Sequence, residues 1–171
     1  IHHLSCSAPS RRHEHIMPPK KAAAKTNKVL LALALVVYSL AIAKLAGVYT
    51  VASLIPKEMF INIFVTTIAI YAFQFLVVPT MLMEQHFEMK VNAMHLFLAR
   101  GSAASMFAAM YAVLHLPMTQ AYPLSMIWCM SLFGMYPLNA ALVSKLPAKY
   151  PMHYMPEALS LIIPTLGALT I

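Results

Sequence analysis

The chain has 171 residues, of which 61% are hydrophobic and only 10% charged, and its mean hydropathy is +0.72. Soluble domains carry about 25% charged residues, so the composition excludes a sizeable soluble domain and points to an integral membrane protein. The formal net charge of +7 is uneven. Arg11, Arg12, Lys20, Lys21, Lys25 and Lys28 stand against Glu14 alone in residues 1–28.

Residues 1–28 read as a basic extramembrane arm. No base-stacking aromatics are interleaved with its charges, so no nucleic acid is expected as a partner. Juxtamembrane charge that sets topology and touches anionic lipid is the plainer role. The first residues contain Arg, Ser and His with a single acid, which suits the remnant of an organelle-targeting region; Met17 is the alternative start. Of the two cysteines, Cys6 lies in the arm and Cys129 in an apolar run. The pair gives no disulfide framework, and Cys129 is expected to be a small core residue.

Four long apolar runs follow, at about 29–55, 59–83, 91–116 and 121–144. Each exceeds the roughly 20 residues needed to cross a bilayer. Lipid offers no hydrogen bonds to peptide groups, so such runs must be helical. A fifth, 155–171, is shorter and carries Glu157 and Pro164; it reads as a short terminal helix, re-entrant or incompletely inserted. Connections are short, which places successive helices side by side and antiparallel. The expected fold is an all-α membrane protein, an up-down bundle of four transmembrane helices plus a short C-terminal hydrophobic helix. Lys and Arg gather on the side of the arm, so the N-terminus is expected on the stromal or matrix side of an organellar membrane.

Small residues spaced by four mark the first run at Ser39, Ala43 and Gly47 and the third at Gly101 and Ser105. Such stripes let helix backbones approach closely. Internal packing of the bundle is the expected use, with packing against another subunit as the alternative.

Arg100 lies about ten residues into the third run, about 15 Å along a helix. No Asp exists in the chain, and every Glu falls outside the four runs. Arg100 therefore lacks a carboxylate at its own depth. It either snorkels toward Glu84 and Glu88 or contacts a cofactor, lipid phosphate or partner chain. Lys44 poses the same question near the end of the first run.

Glu84, Glu88, Asn92 and His95 fall at spacings of four, four and three, one face of a helix that starts early. No second helix supplies matching ligands, so no metal is expected. His95 alone has the chemistry of an axial ligand to a macrocycle metal, such as the magnesium of chlorophyll. Gln74, His86 and His115 are weaker candidates for pigment contact.

Catalytic patterns are missing: a Ser-His-Asp triad needs an Asp, and neither a phosphate loop nor H-E-x-x-H occurs. The fourteen methionines are scattered and suit adaptable packing. The expected function is a non-catalytic accessory or scaffold subunit of a large organellar membrane complex. A photosystem of the thylakoid is favoured, with chlorophyll, carotenoid and lipid as ligands and other integral membrane subunits as partners. The alternatives are a supernumerary subunit of a mitochondrial respiratory or ATP synthase complex, a small homo-oligomeric transporter with Lys44 and Arg100 along an anion path, and a lipid-modifying enzyme with His95 as base.

Overall fold

The computed structural model describes residues 28–49, 54–139 and 146–170. The basic arm before Lys28, Cys6 and the expected span segments at 50–53 and 140–145 lie outside the described residues. The described chain is helical: α1 (Lys28–Leu45), α2 (Lys57–Val77), α3 (Pro79–His86), α4 (Ala93–His115), α5 (Met118–Leu138) and α6 (Tyr154–Ala168).

Three of these helices, α1, α2 and α4, are long and apolar enough to cross a membrane. Their outward surfaces carry large bare hydrophobics, among them Val29, Leu33 and Val36 on α1, Phe73 on α2 and Phe97 on α4. Apolar surface of that extent suits lipid rather than water. α5 has the length of a span, but its polar and proline residues keep it below the apolarity of the other three.

α1 stops earlier than its apolar run. Gly47 adopts φ +71, and the amides of Gly47 and Val48 bond back to the carbonyls of Lys44 and Ala43 at 3.0 and 2.9 Å. These bonds form a Schellman cap, which needs a left-handed residue that glycine supplies without strain. Gly47 is therefore a helix stop rather than a packing residue.

The run expected at 59–83 is also interrupted. Val78 sits at φ −129, ψ 46, between α2 and α3. Pro79 has no amide to continue the ladder and disfavours helical geometry in the residue before it.

α4 starts at Ala93 rather than Val91 because Asn92 caps it. The Asn92 side chain accepts from the His95 amide at 3.0 Å, and the His95 ring accepts the Asn92 amide at 3.2 Å. This reciprocal pair is a capping box. Residues 87–92 are not helical, so Glu84, Glu88, Asn92 and His95 do not share one helix face. That expectation is corrected by the cap.

The short terminal segment has a larger part than its length suggests. α6 packs against α1 and α5, and no Cα of α1 comes within 8 Å of one in α2. The expectation that sequence neighbours pack side by side thus fails at the first connection. α6 fits inside because its buried side chains are mostly small or compact, including Pro156, Ser160, Pro164, Gly167 and Ala168. A Cβ on Gly167 would meet Met126 Sδ and come within 2.9 Å of the Phe60 ring. The Gly167 carbonyl accepts from Tyr122 Oη at 2.9 Å and from Thr170 Oγ1 at 2.7 Å. Tyr38 of α1 donates to the Ser160 carbonyl at 3.1 Å.

α6 also connects the two ends of the bundle. The residue just after it pairs with the segment leading into α2 through Leu54 N–H to Leu169 O at 3.1 Å. The segment before it pairs with residues just after α3 through an antiparallel bridge between Phe87 and Ala148. The core between these ends holds Phe60, Phe64, Ile68, Met126, Cys129 and Phe133. Phe64 meets Trp128 edge-on at 5.2 Å. Cys129 is buried and unpaired, a core residue as expected.

Candidate functional site

The sequence candidates separate onto two regions, the outer face of α4 and a polar corner at the α3–α6 end.

α4 has a clear inside and outside. Ala99, Ala103, Met106, Met110 and Val113 are buried, at spacings of four and three that keep one stripe against α2. Arg100, Gly101, Ala104, Ser105, Ala108 and Tyr111 are exposed on the other side. Nothing lies within 4 Å of a Cβ built on Gly101. The Gly101–Ser105 stripe therefore does not pack inside the bundle, and Ser105 Oγ simply donates back to the Gly101 carbonyl at 3.0 Å. On α1, Ser39 and Gly47 are likewise exposed and Ala43 is only half-buried. The inward faces are formed mainly by other residues, Ala34 and Ala41 on α1 and Ala99 and Ala103 on α4.

Beside the Gly101 ridge, an open groove of about 520 Å³ runs between α4 and α5. Phe97, Leu98, Gly101, Ser105, Met106 and Trp128 contribute to its walls. Arg100 lies across the ridge from it. The helix begins at Ala93, so Arg100 is about 10 Å from that start rather than the 15 Å expected from the apolar run. Among the described residues, Arg100 has no hydrogen-bond or ion-pair partner. Glu84 does not supply one; its side chain accepts the Val91 amide at 3.3 Å. Lys44 lies half-buried in the last turn of α1.

The histidines differ in what they offer. In His95 the ring Nδ1 accepts the Asn92 amide, so the proton of the neutral imidazole resides on Nε2. No lone pair is left for a metal while the box is closed. His115 is the reverse case. Its Nδ1 lies 2.7 Å from the Tyr111 carbonyl, which only accepts, so in the neutral ring Nδ1 carries the proton and Nε2 the lone pair. His115 is exposed and stacked on Tyr111 at 4.0 Å. Gln74 is half-buried on α2.

His86 belongs to the corner. The ring centroids of His86 and His153 are 6.1 Å apart. Around His153 lie Phe87 at 4.8 Å, Tyr136 at 5.7 Å and Tyr150 at 5.8 Å. Tyr150 Oη donates to Glu157 Oε1 at 2.8 Å. The corner is sewn by backbone bonds, from Lys149 N–H to His86 O and from Glu88 N–H to Pro147 O, both 2.9 Å. Lys149 Nζ also reaches the Glu84 carbonyl at 3.2 Å. Both imidazoles are buried, and each has an Nδ1 with no partner. Burial pushes both pKa values below the ordinary histidine range; the neighbouring His153 adds to this for His86, and backbone hydrogen bonding partly offsets it for both.

His153, Tyr136 and Tyr150 escaped the sequence reading. The stretch Tyr150-Pro-Met-His-Tyr154 held a signal in its aromatic and imidazole density. Its partner His86 lies far upstream, and only the pairing of residues 86–88 with 147–149 joins them.

No protein-family profile, curated protein or solved structure matches this chain.

Proposed function

We propose that the chain is a non-catalytic subunit of a larger organellar membrane complex, held in it by the outer face of α4. The observation that carries this reading is Arg100, a cation in the first half of an apolar helix, turned away from its own bundle and without a partner among the described residues. A charge at bilayer depth costs about 3 kcal/mol or more. A counter-charge or hydrogen-bonding surface from outside the bundle would offset that cost. The vacant small-residue stripe beside it suits close helix contact.

Within this reading the arm side of the bundle, with Lys28, Lys90 and Lys149, faces the stroma or matrix. Lipid covers the remaining apolar surface. A photosystem is the complex to test first, with chlorophyll or carotenoid against the outer helices and a respiratory or ATP synthase complex as the alternative. The pigment ligand in that version is His115 rather than His95, because His115 has the free Nε2. An anion path through a single bundle fits less well, since Arg100 looks outward.

The test is gentle detergent extraction of the source membrane, native separation, and absorbance with mass spectrometry of the band holding this chain. Co-migration with other membrane subunits supports the reading, and pigment in that band supports the photosynthetic version. A small colourless homo-oligomer overturns both.

A further inference from the structure

We infer that α4 docks a transmembrane helix of a different subunit, and that this helix carries a carboxylate, Asp or Glu, at the depth of Arg100. The inference rests on the subunit reading above and names the partner's chemistry.

Arg100 sets the charge. Its guanidinium offers a planar fork of donors that matches a carboxylate bidentately, and none of the described residues bonds to it. The residues beside it set the shape. Gly101, Ala104 and Ala108 form a low ridge, exposed along two turns, with open space where a Gly101 side chain would stand. A partner backbone can approach such a ridge closely. A helix seated there has Arg100 on one flank and, on the other, the groove walled by Leu98 and Trp128. Lipid is a poorer occupant. An acyl chain gains little from small residues, and a headgroup phosphate beyond the helix start would stand more than about 10 Å along the axis from the Arg100 backbone, so the side chain would have to stretch fully to reach it.

A second copy of this chain is also a poor occupant. A two-fold contact along α4 between copies inserted the same way would set like surface on like, bringing Arg100 against Arg100. Nor do the described residues offer an acid at that depth: the chain has no Asp, and Glu58, Glu84, Glu88 and Glu157 lie at the ends of the bundle. The complement must come from another protein.

The experiment uses the full chain in its source membrane, with Phe97→p-benzoylphenylalanine or Tyr111→p-benzoylphenylalanine. Both positions are aromatic and 71% and 67% exposed on this face. After irradiation, adducts are identified by mass spectrometry. The expected adduct is one apolar span of another subunit containing Asp or Glu. Arg100→Gln should lower its yield about tenfold, the loss of roughly 1.4 kcal/mol of association, and Arg100→Lys should retain more of it. Exchanging charges, with Arg100→Glu here and Arg in place of the partner's acid, should restore the yield. Adducts with lipid, with Glu14 of the chain's own arm or with a second copy would overturn the inference, as would a partner span without an acid or a yield indifferent to Arg100. Native separation of the same membranes keeps the two claims apart. A chain that still migrates in a large complex but gives only lipid adducts loses the partner and keeps the subunit reading. A chain that migrates alone loses both.

Discussion

His86 and His153 lie with ring centroids 6.1 Å apart and planes at 66°, each buried with an unpartnered Nδ1. They close the corner where residues 147–149 pair with residues 86–88. A proton on either ring has no acceptor at Nδ1, so the corner favours two neutral imidazoles.

The direction of the pH effect follows. Both folded pKa values lie below the unfolded value of about 6.5. The unfolded chain therefore binds more protons in the interval between, and stability rises with pH there. The pair's contribution is complete above about pH 6.5 and is lost as pH falls toward the lowered folded values. Thermal unfolding in detergent at pH 7.5 and pH 5.5 should show a lower Tm at the acidic pH. His153→Phe should flatten that dependence.

Two glycines should respond oppositely to alanine. Gly167→Ala forces a methyl into Met126 and the Phe60 ring, where α6 meets α5 and α2. Overpacking of that kind costs about 1–3 kcal/mol. Gly101→Ala meets open space and removes a flexible residue from a helix interior, a gain of up to about 1 kcal/mol. Comparing the Tm of the two purified variants checks both signs.

The capping box at α4 should behave as a structural device. Asn92→Ala should cost about 1 kcal/mol, the usual loss of an N-cap. His95→Ala should cost less, since only the reciprocal bond to the Asn92 amide is lost. If the native complex is pigmented, His95→Ala should leave its absorbance spectrum in place.

The helical class and the apolar stretches were legible because lipid permits little else, and the runs exceed the length of a span. The boundaries were less so. Gly47 and Pro79 lie inside apolar runs that read as continuous; the Schellman cap and the α2–α3 break decide otherwise. Asn92-x-x-His95 looked like half a ligand pattern because capping and ligation draw on the same residue types. The interior position of α6 could not be read from its length. It depends on small residues such as Ser160 and Gly167 fitting against α1, α2 and α5, a relation between distant segments. Arg100 was legible as a problem, since an arginine in an apolar run stands out in any sequence. Its outward direction required the buried stripe Ala99–Ala103–Met106 to be fixed first.

On the reading proposed above, this chain is anchored in a larger assembly through the face bearing Arg100. That reading is tested most directly by the native mass of the particle carrying the chain, measured for the wild type and for Arg100→Gln in gently solubilised source membranes. The wild-type particle should be far larger than the 18.9 kDa chain. The variant should be folded and membrane-inserted but largely released from that particle. A wild-type chain that migrates alone, or a variant that stays fully assembled, would contradict it.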